Sequence, residues 1–147
     1  MRVVFEDVSA ALAALPGDAA PLEKLKAAIK AHLLSSLENS DYTSASIRAF
    51  AFLPEELRRN CRIERRRYEE IWSGLVSEAA QAGCIPDDVS PDAARLMLLG
   101  AVNWTGEWYR SGRLSIDEIA TSFAKVAFAL RPGGRPEVSK PDANKGP

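Results

Sequence analysis

The sequence predicts an all-α protein, a bundle of six helices. Apolar residues recur at three- and four-residue spacing from Phe5 to Leu130, and nowhere in the strict alternation of a strand. Pro21, Ser40–Asp41, Pro54, Ser90–Pro91 and Ser115 supply a start signal for each helix after the first. With 147 residues, 46% of them apolar, the chain is long enough to bury one core.

The first helix spans 2–15, with Phe5, Val8, Leu12 and Leu15 on one face and Pro16–Gly17–Asp18 as its stop. The second spans 20–39. Pro21 suits its first turn, and Leu22, Leu25, Ile29, Leu33 and Ser36 share a face. His32 lies at the edge of that face. It is the single histidine of the chain and has no ligand-spaced Cys, Asp or Glu, so it reads as a core-edge residue. A shorter helix follows over 40–53, capped by Ser40 or Asp41 and ended by Pro54.

The longest helix lies within 54–83, about 28 residues or some 42 Å at the helical rise. Its apolar stripe is Leu57, Cys61, Tyr68, Trp72, Leu75, Ala79 and Ala82, interrupted by Glu64 and Arg65. The fifth helix, 90–110, starts with Ser90 as cap and Pro91 in its first turn. From Ala93 to Val102 its only polar residue is Arg95, which makes it apolar on every side. The last, 115–130, opens with the capping box Ser115–Glu118. It carries Ile116, Ile119, Phe123, Val126, Ala127 and Leu130 on one face and Phe128 on the opposite, polar side. The Pro- and Gly-rich end cannot bury enough to offset its ordering entropy. One helical domain is therefore expected over 1–131, with a disordered tail over 132–147.

Several function classes are disfavoured. Nineteen basic against twenty acidic residues lack the excess of a nucleic-acid binder. No apolar run reaches the roughly 20 residues of a membrane span, and there is no signal-peptide pattern. Cys61 and Cys84 lack zinc spacing and read as reduced thiols of a cytoplasmic protein. There is no Ser/His/Asp order, glycine-rich phosphate loop or paired-His motif, so neither an enzyme nor a bound cofactor or metal is expected.

A chain this small rarely surrounds a helix completely, so one face of the fifth helix is expected to meet a second chain. Trp104 and Trp108 share a face with Met97 and Ala101, while Val102 and Tyr109 share another with Leu98. Gly100 and Gly106 let another backbone approach. With Phe128 expected on the surface, the pattern predicts a two-fold dimer through Trp104, Trp108, Tyr109, Phe123, Ala127 and Phe128. A ligand pocket would draw on Tyr42, Phe50, Cys61, Arg65, Tyr68, Trp72 and Asn103. Asn103, on an apolar helix, either bonds a neighbouring backbone or faces the ligand. Arg58, Arg62 and Arg65 could meet a carboxylate or phosphate, although interleaved glutamates are equally usual on a solvated face.

The run "NWTGEWYRSGRLSIDEIA", preceded by "LMLLGA" and by "RRRYEEIWSGLVSEAAQAG", closely resembles the C-terminal ligand-binding and dimerisation domain of TetR-family transcriptional regulators. The likeness spans residues 3–131 and is strongest towards the branch of fatty-acid and steroid catabolism repressors. It implies a four-helix bundle made by the last two helices with a partner subunit. It also implies an internal pocket for a lipophilic effector such as an acyl-CoA, a fatty acid or a steroid. The family's DNA-reading unit would need roughly 40 residues before Pro21. Residues 1–16 instead resemble the connecting helix that follows that unit, so DNA contact is expected only through a missing N-terminal domain or a full-length partner. The rival expectation is an all-helical interaction module with no ligand.

Overall fold

The computed structural model describes residues 2–38 and 52–128. Five helices account for most of them: α1 (Arg2–Ala13), α2 (Pro21–Glu38), α3 (Glu55–Gln81), α4 (Pro91–Trp108) and α5 (Ile116–Phe128). Among the described residues there is no strand, and no helix is long and apolar enough to cross a membrane. Most of the helix expected over 40–53, including Tyr42 and Phe50, lies outside the described residues, as does the tail from 132.

The organising element is α2. It packs against α1, α3, α4 and α5, and it buries Leu25, Ala28, Ile29 and Leu33 completely. Helix α1 lays Val8 onto it, with Val4, Phe5 and Leu12 partly covered around that contact. Helices α2 and α3 run antiparallel, since Lys24 pairs with Glu78 at one end and His32 meets Tyr68 further along. Helix α3 ends in a Schellman turn. Gly83 takes a positive φ of 73°, its N–H donates to the Ala80 carbonyl, and the Cys84 N–H donates to the Ala79 carbonyl.

Two expectations of burial are corrected. Phe128, read as a surface residue, is 1% exposed. It lies eleven residues, three turns, from Asp117 and so at nearly the same helical angle. Asp117 meets Lys26 and Lys30 of α2, so the side of α5 that reads as polar faces α2. Ala120 and Ala124 are buried on α5 beside Phe128. Phe128 is a core residue, whereas Val126, read with the core face, is 71% exposed.

The second correction concerns α3. Its buried residues begin only at Tyr68 and continue through Trp72, Leu75, Val76 and Ala79. Leu57 and Cys61, read as the start of the same stripe, are exposed among the described residues. Glu64 and Arg65 therefore interrupt the stripe just before the first buried turn of the helix.

Candidate functional site

Three features of the described residues have the makings of a site: a polar cluster in the core, an uncovered apolar face, and an arginine-rich helix segment.

The cluster joins α2 to α3. Tyr68 and Trp72, one turn apart on α3, meet His32 between the buried Ile29 and Leu33 positions of α2. The rings of Tyr68 and Trp72 stand edge-to-face at 6.0 Å between centroids. His32 Nδ1 is hydrogen-bonded to the Tyr68 hydroxyl, which donates when the ring proton sits on Nε2. Burial lowers the His32 pKa to about 4, so the imidazole is neutral at pH 7. Burial also pushes the Tyr68 hydroxyl above the usual phenol range, and the Trp72 N–H beside it offsets part of that rise. Even so, the Trp72 Nε1 is buried and completes no hydrogen bond of normal geometry among the described residues. Such a donor costs about 1–3 kcal/mol unless an acceptor reaches it.

The uncovered face belongs to α4. This helix buries Ala94, Leu98, Val102 and Thr105, and the Thr105 hydroxyl is satisfied by the Ala101 carbonyl at 3.0 Å. Tyr109, expected at the dimer contact, is half-buried beside them. The other sides remain open. Leu96 and Met97 are more than half exposed, Trp104 is 65% exposed and Trp108 41%. Ideal side chains built at Gly100 and Gly106 would meet nothing within 4 Å. On α5, Phe123 and Ala127 are half-buried beside the exposed Val126.

The arginine segment lies on α3. Arg58 and Arg62 pair with Glu55, Arg65 with Glu69 and Arg67 with Glu64. Arg58, Arg62 and Arg65, the anion-binding candidates of the sequence, are thus each engaged by a glutamate on their own helix.

Of the expected pocket residues, Tyr68 and Trp72 come together in the core. Arg65 and Cys61 lie on exposed parts of α3, and Asn103 is corrected to a solvent-facing position on α4. Asn103 follows Val102 by one residue and precedes Thr105 by two, which rotates it out of the narrow buried face. Its amide therefore needs neither a neighbouring backbone nor a ligand. Sequence reading placed His32 at an edge and missed its pairing with Tyr68. The signal was available in the placement of His32 between Ile29 and Leu33.

The family model for "Tetracyclin repressor-like, C-terminal domain" matches residues 18–130. Among solved structures, the TetR-family regulator PfmR from Thermus thermophilus superposes with a TM-score of 0.71 at 22% identity, over 87% of this chain and 68% of that one. A TetR/AcrR-family regulator from Thermobifida fusca is 34% identical with a TM-score of 0.62, over 91% of this chain and 69% of its own. AibR, solved in complex with isovaleryl coenzyme A and operator DNA, gives a TM-score of 0.62 at 23% identity, over 86% of this chain and 74% of that one. Among curated proteins no relative matches.

Proposed function

From the premise that this chain belongs to the tetracycline repressor-like C-terminal domain family, we propose that it senses a lipophilic small molecule and pairs with a second copy through α4 and α5. The observation that carries the pairing is the open face of Met97, Ala101, Trp104 and Trp108 on α4, with Val126 also exposed on α5. Two tryptophans and a methionine held in water are a standing cost, which burial against an identical face removes. Gly100, one turn before Trp104 and open to solvent, suits the close approach of a partner helix. An isologous contact is the commonest geometry for such a pair.

The sensing half rests on the Tyr68–Trp72–His32 cluster. A buried indole N–H that completes no hydrogen bond of normal geometry, beside a neutral imidazole and a phenol, suits an uncharged acceptor such as a carbonyl on an otherwise apolar molecule. An acyl thioester, an esterified fatty acid or a keto-steroid fits that description, and AibR was solved with an acyl-CoA. Occupation of the cluster would shift α3 against α2, and the family's DNA-reading heads, carried by the same or a full-length partner chain, would feel that shift.

One experiment addresses both halves: sedimentation and thermal unfolding with a panel of acyl-CoAs, fatty acids and steroids. The wild type is expected to sediment as a dimer and Trp104→Glu/Trp108→Glu as a monomer. A ligand at 100 times its dissociation constant should add about 2.7 kcal/mol. A monomeric wild type refutes the pairing. Stabilisation by no compound favours a ligand-free interaction module, a reading supported by the tight enclosure of Trp72 and Tyr68 at 0% and 5% exposure.

A further inference from the structure

The N-terminal half of α3 has a composition that an ordinary solvated helix does not need. Of the ten residues from Arg58 to Arg67, six are arginine, none is lysine and one, Glu64, is acidic. A face that only needs solubility can use lysine as well as arginine, and α2 does so with Lys24, Lys26 and Lys30. Arginine differs from lysine in its planar fork of donors, which matches the paired oxygens of phosphate and carboxylate.

Pairing within the helix absorbs four of the six, as described above. Arg59 and Arg66 are left with no carboxylate partner among the described residues, and both are exposed. They lie seven residues apart, two turns or about 10.5 Å along one face. Ile63 sits between them, 47% exposed. A surface concavity of about 410 Å³ opens there, lined by Arg59, Arg62, Ile63, Arg66, Arg67 and Glu70. Glu70 closes the end beyond Arg66 and leaves the Arg59 to Arg66 stretch as the positive part.

This face is not the effector cluster. Arg59 and Tyr68 are nine residues apart, two and a half turns, which puts them on opposite sides of the helix. A molecule enclosed around Tyr68 and Trp72 would not present its charge to Arg59.

We infer that the Arg59–Ile63–Arg66 face binds a phosphate chain, that of a nucleoside di- or triphosphate. The two free guanidinium forks line the concavity and supply its net positive charge, since Glu55 and Glu64 offset Arg62 and Arg67 beside them. Ile63 offers the apolar surface on which a base can lie. A single phosphate or carboxylate would satisfy one fork and leave the other idle. The site is independent of the effector and pairing assignments.

The test is isothermal titration of the full chain, at low ionic strength, with ATP and with inorganic tripolyphosphate. Both are expected to bind at one site per chain. Tighter binding of ATP marks a nucleotide with its base on Ile63, and equal binding marks the phosphate chain alone as the recognised group. Arg59→Ala/Arg66→Ala should weaken both ligands by roughly tenfold or more, the loss of two charge-assisted contacts. Arg59→Lys/Arg66→Lys should also weaken them, because charge remains and the fork does not. Arg110→Ala/Arg113→Ala, at a separate exposed site, should leave them unchanged. All these positions are exposed, and unchanged helicity by circular dichroism confirms that the variants fold. Absence of heat with either ligand, or undiminished binding by Arg59→Ala/Arg66→Ala, overturns the assignment. So does random-sequence duplex DNA bound through the same arginines far more tightly than ATP, which would give the face to nucleic acid.

Discussion

Helices α2 and α4 are both 18 residues long, and their compositions invert their positions. Helix α2 carries Glu23, Lys24, Lys26, Lys30 and His32, yet it is the element around which the others pack. Helix α4 has only Asp92, Arg95 and Glu107 as charges, yet leaves Leu96, Met97, Trp104 and Trp108 open. In α2 the charges leave the core at its edges and tie it to its neighbours, Lys24 to Glu78 of α3 and Lys26 and Lys30 to Asp117 of α5. In α4 the apolar surplus has no neighbour within the described residues. Mean apolarity therefore does not say which helix is central. What matters is whether each face has something to press against, and in α4 the surplus is the face that the proposed pairing would cover.

The sharpest way to break this comparison is to truncate one aliphatic side chain on each helix. Ile29→Ala on α2 removes a fully buried side chain and should cost about 2–5 kcal/mol in chemical unfolding. Leu96→Ala on α4 removes one that is 58% exposed, and in dilute monomer it should cost no more than roughly 0.5 kcal/mol. Similar losses at the two positions would mean that α4 is covered within its own chain.

The next effect is a pH dependence centred on α2. The His32 imidazole is held neutral by burial, with its pKa lowered from 6.5 to about 4. Between those values the unfolded chain binds a proton that the folded chain refuses. Stability from this group is therefore fully present above pH 6.5 and is lost as pH falls towards 4, by about 3 kcal/mol in all. His32→Gln should flatten the slope between pH 6.5 and 5. Carboxylates held low by neighbours, such as Asp117 beside Lys30 and Lys26, add their own loss at lower pH. A wild-type slope that survives in His32→Gln would place the titrating group elsewhere.

How much of this was legible depended on what each helix faces. Period and caps located the five described helices, but which side of α4 is covered was left open, and Tyr109, expected at the dimer contact, lies beside the buried Val102 and Thr105. Phe128 was misplaced because a helical wheel ranks a face by its own residues. The Asp117 side of α5 reads as polar until lysines of α2, some ninety positions earlier in the chain, are brought to it. The same limit hid the cluster, since His32 and Tyr68 lie on different helices and nothing local pairs them. On α3, pattern reading extended the stripe back to Leu57 because a period does not say which turns of a helix have a neighbour to cover them. The arginines it favoured, Arg58, Arg62 and Arg65, are those the helix's own glutamates neutralise. Arg59 and Arg66 stand out only once the pairs are assigned.

The smallest effect separates α5 from α2 at their first turns. At the start of α5, the Ser115 hydroxyl accepts the Glu118 N–H at 3.2 Å while the Glu118 carboxylate accepts the Ser115 N–H at 2.8 Å. At the start of α2 only half of that exchange exists. Glu23 accepts the Ala20 N–H at 3.2 Å, and Ala20 has no side-chain oxygen to return. Ser115→Ala gives α5 the same half-box and should cost about 1 kcal/mol, read by denaturant titration at neutral pH. Ala20→Ser completes the box on α2 and should gain less, because α2 is already held by four neighbouring helices. A loss at Ser115 too small to measure would show that α5 is fixed by Asp117 on the α2 lysines rather than by its cap. The dependence of α5 on α2 would then be stronger than its short, well-capped sequence suggests.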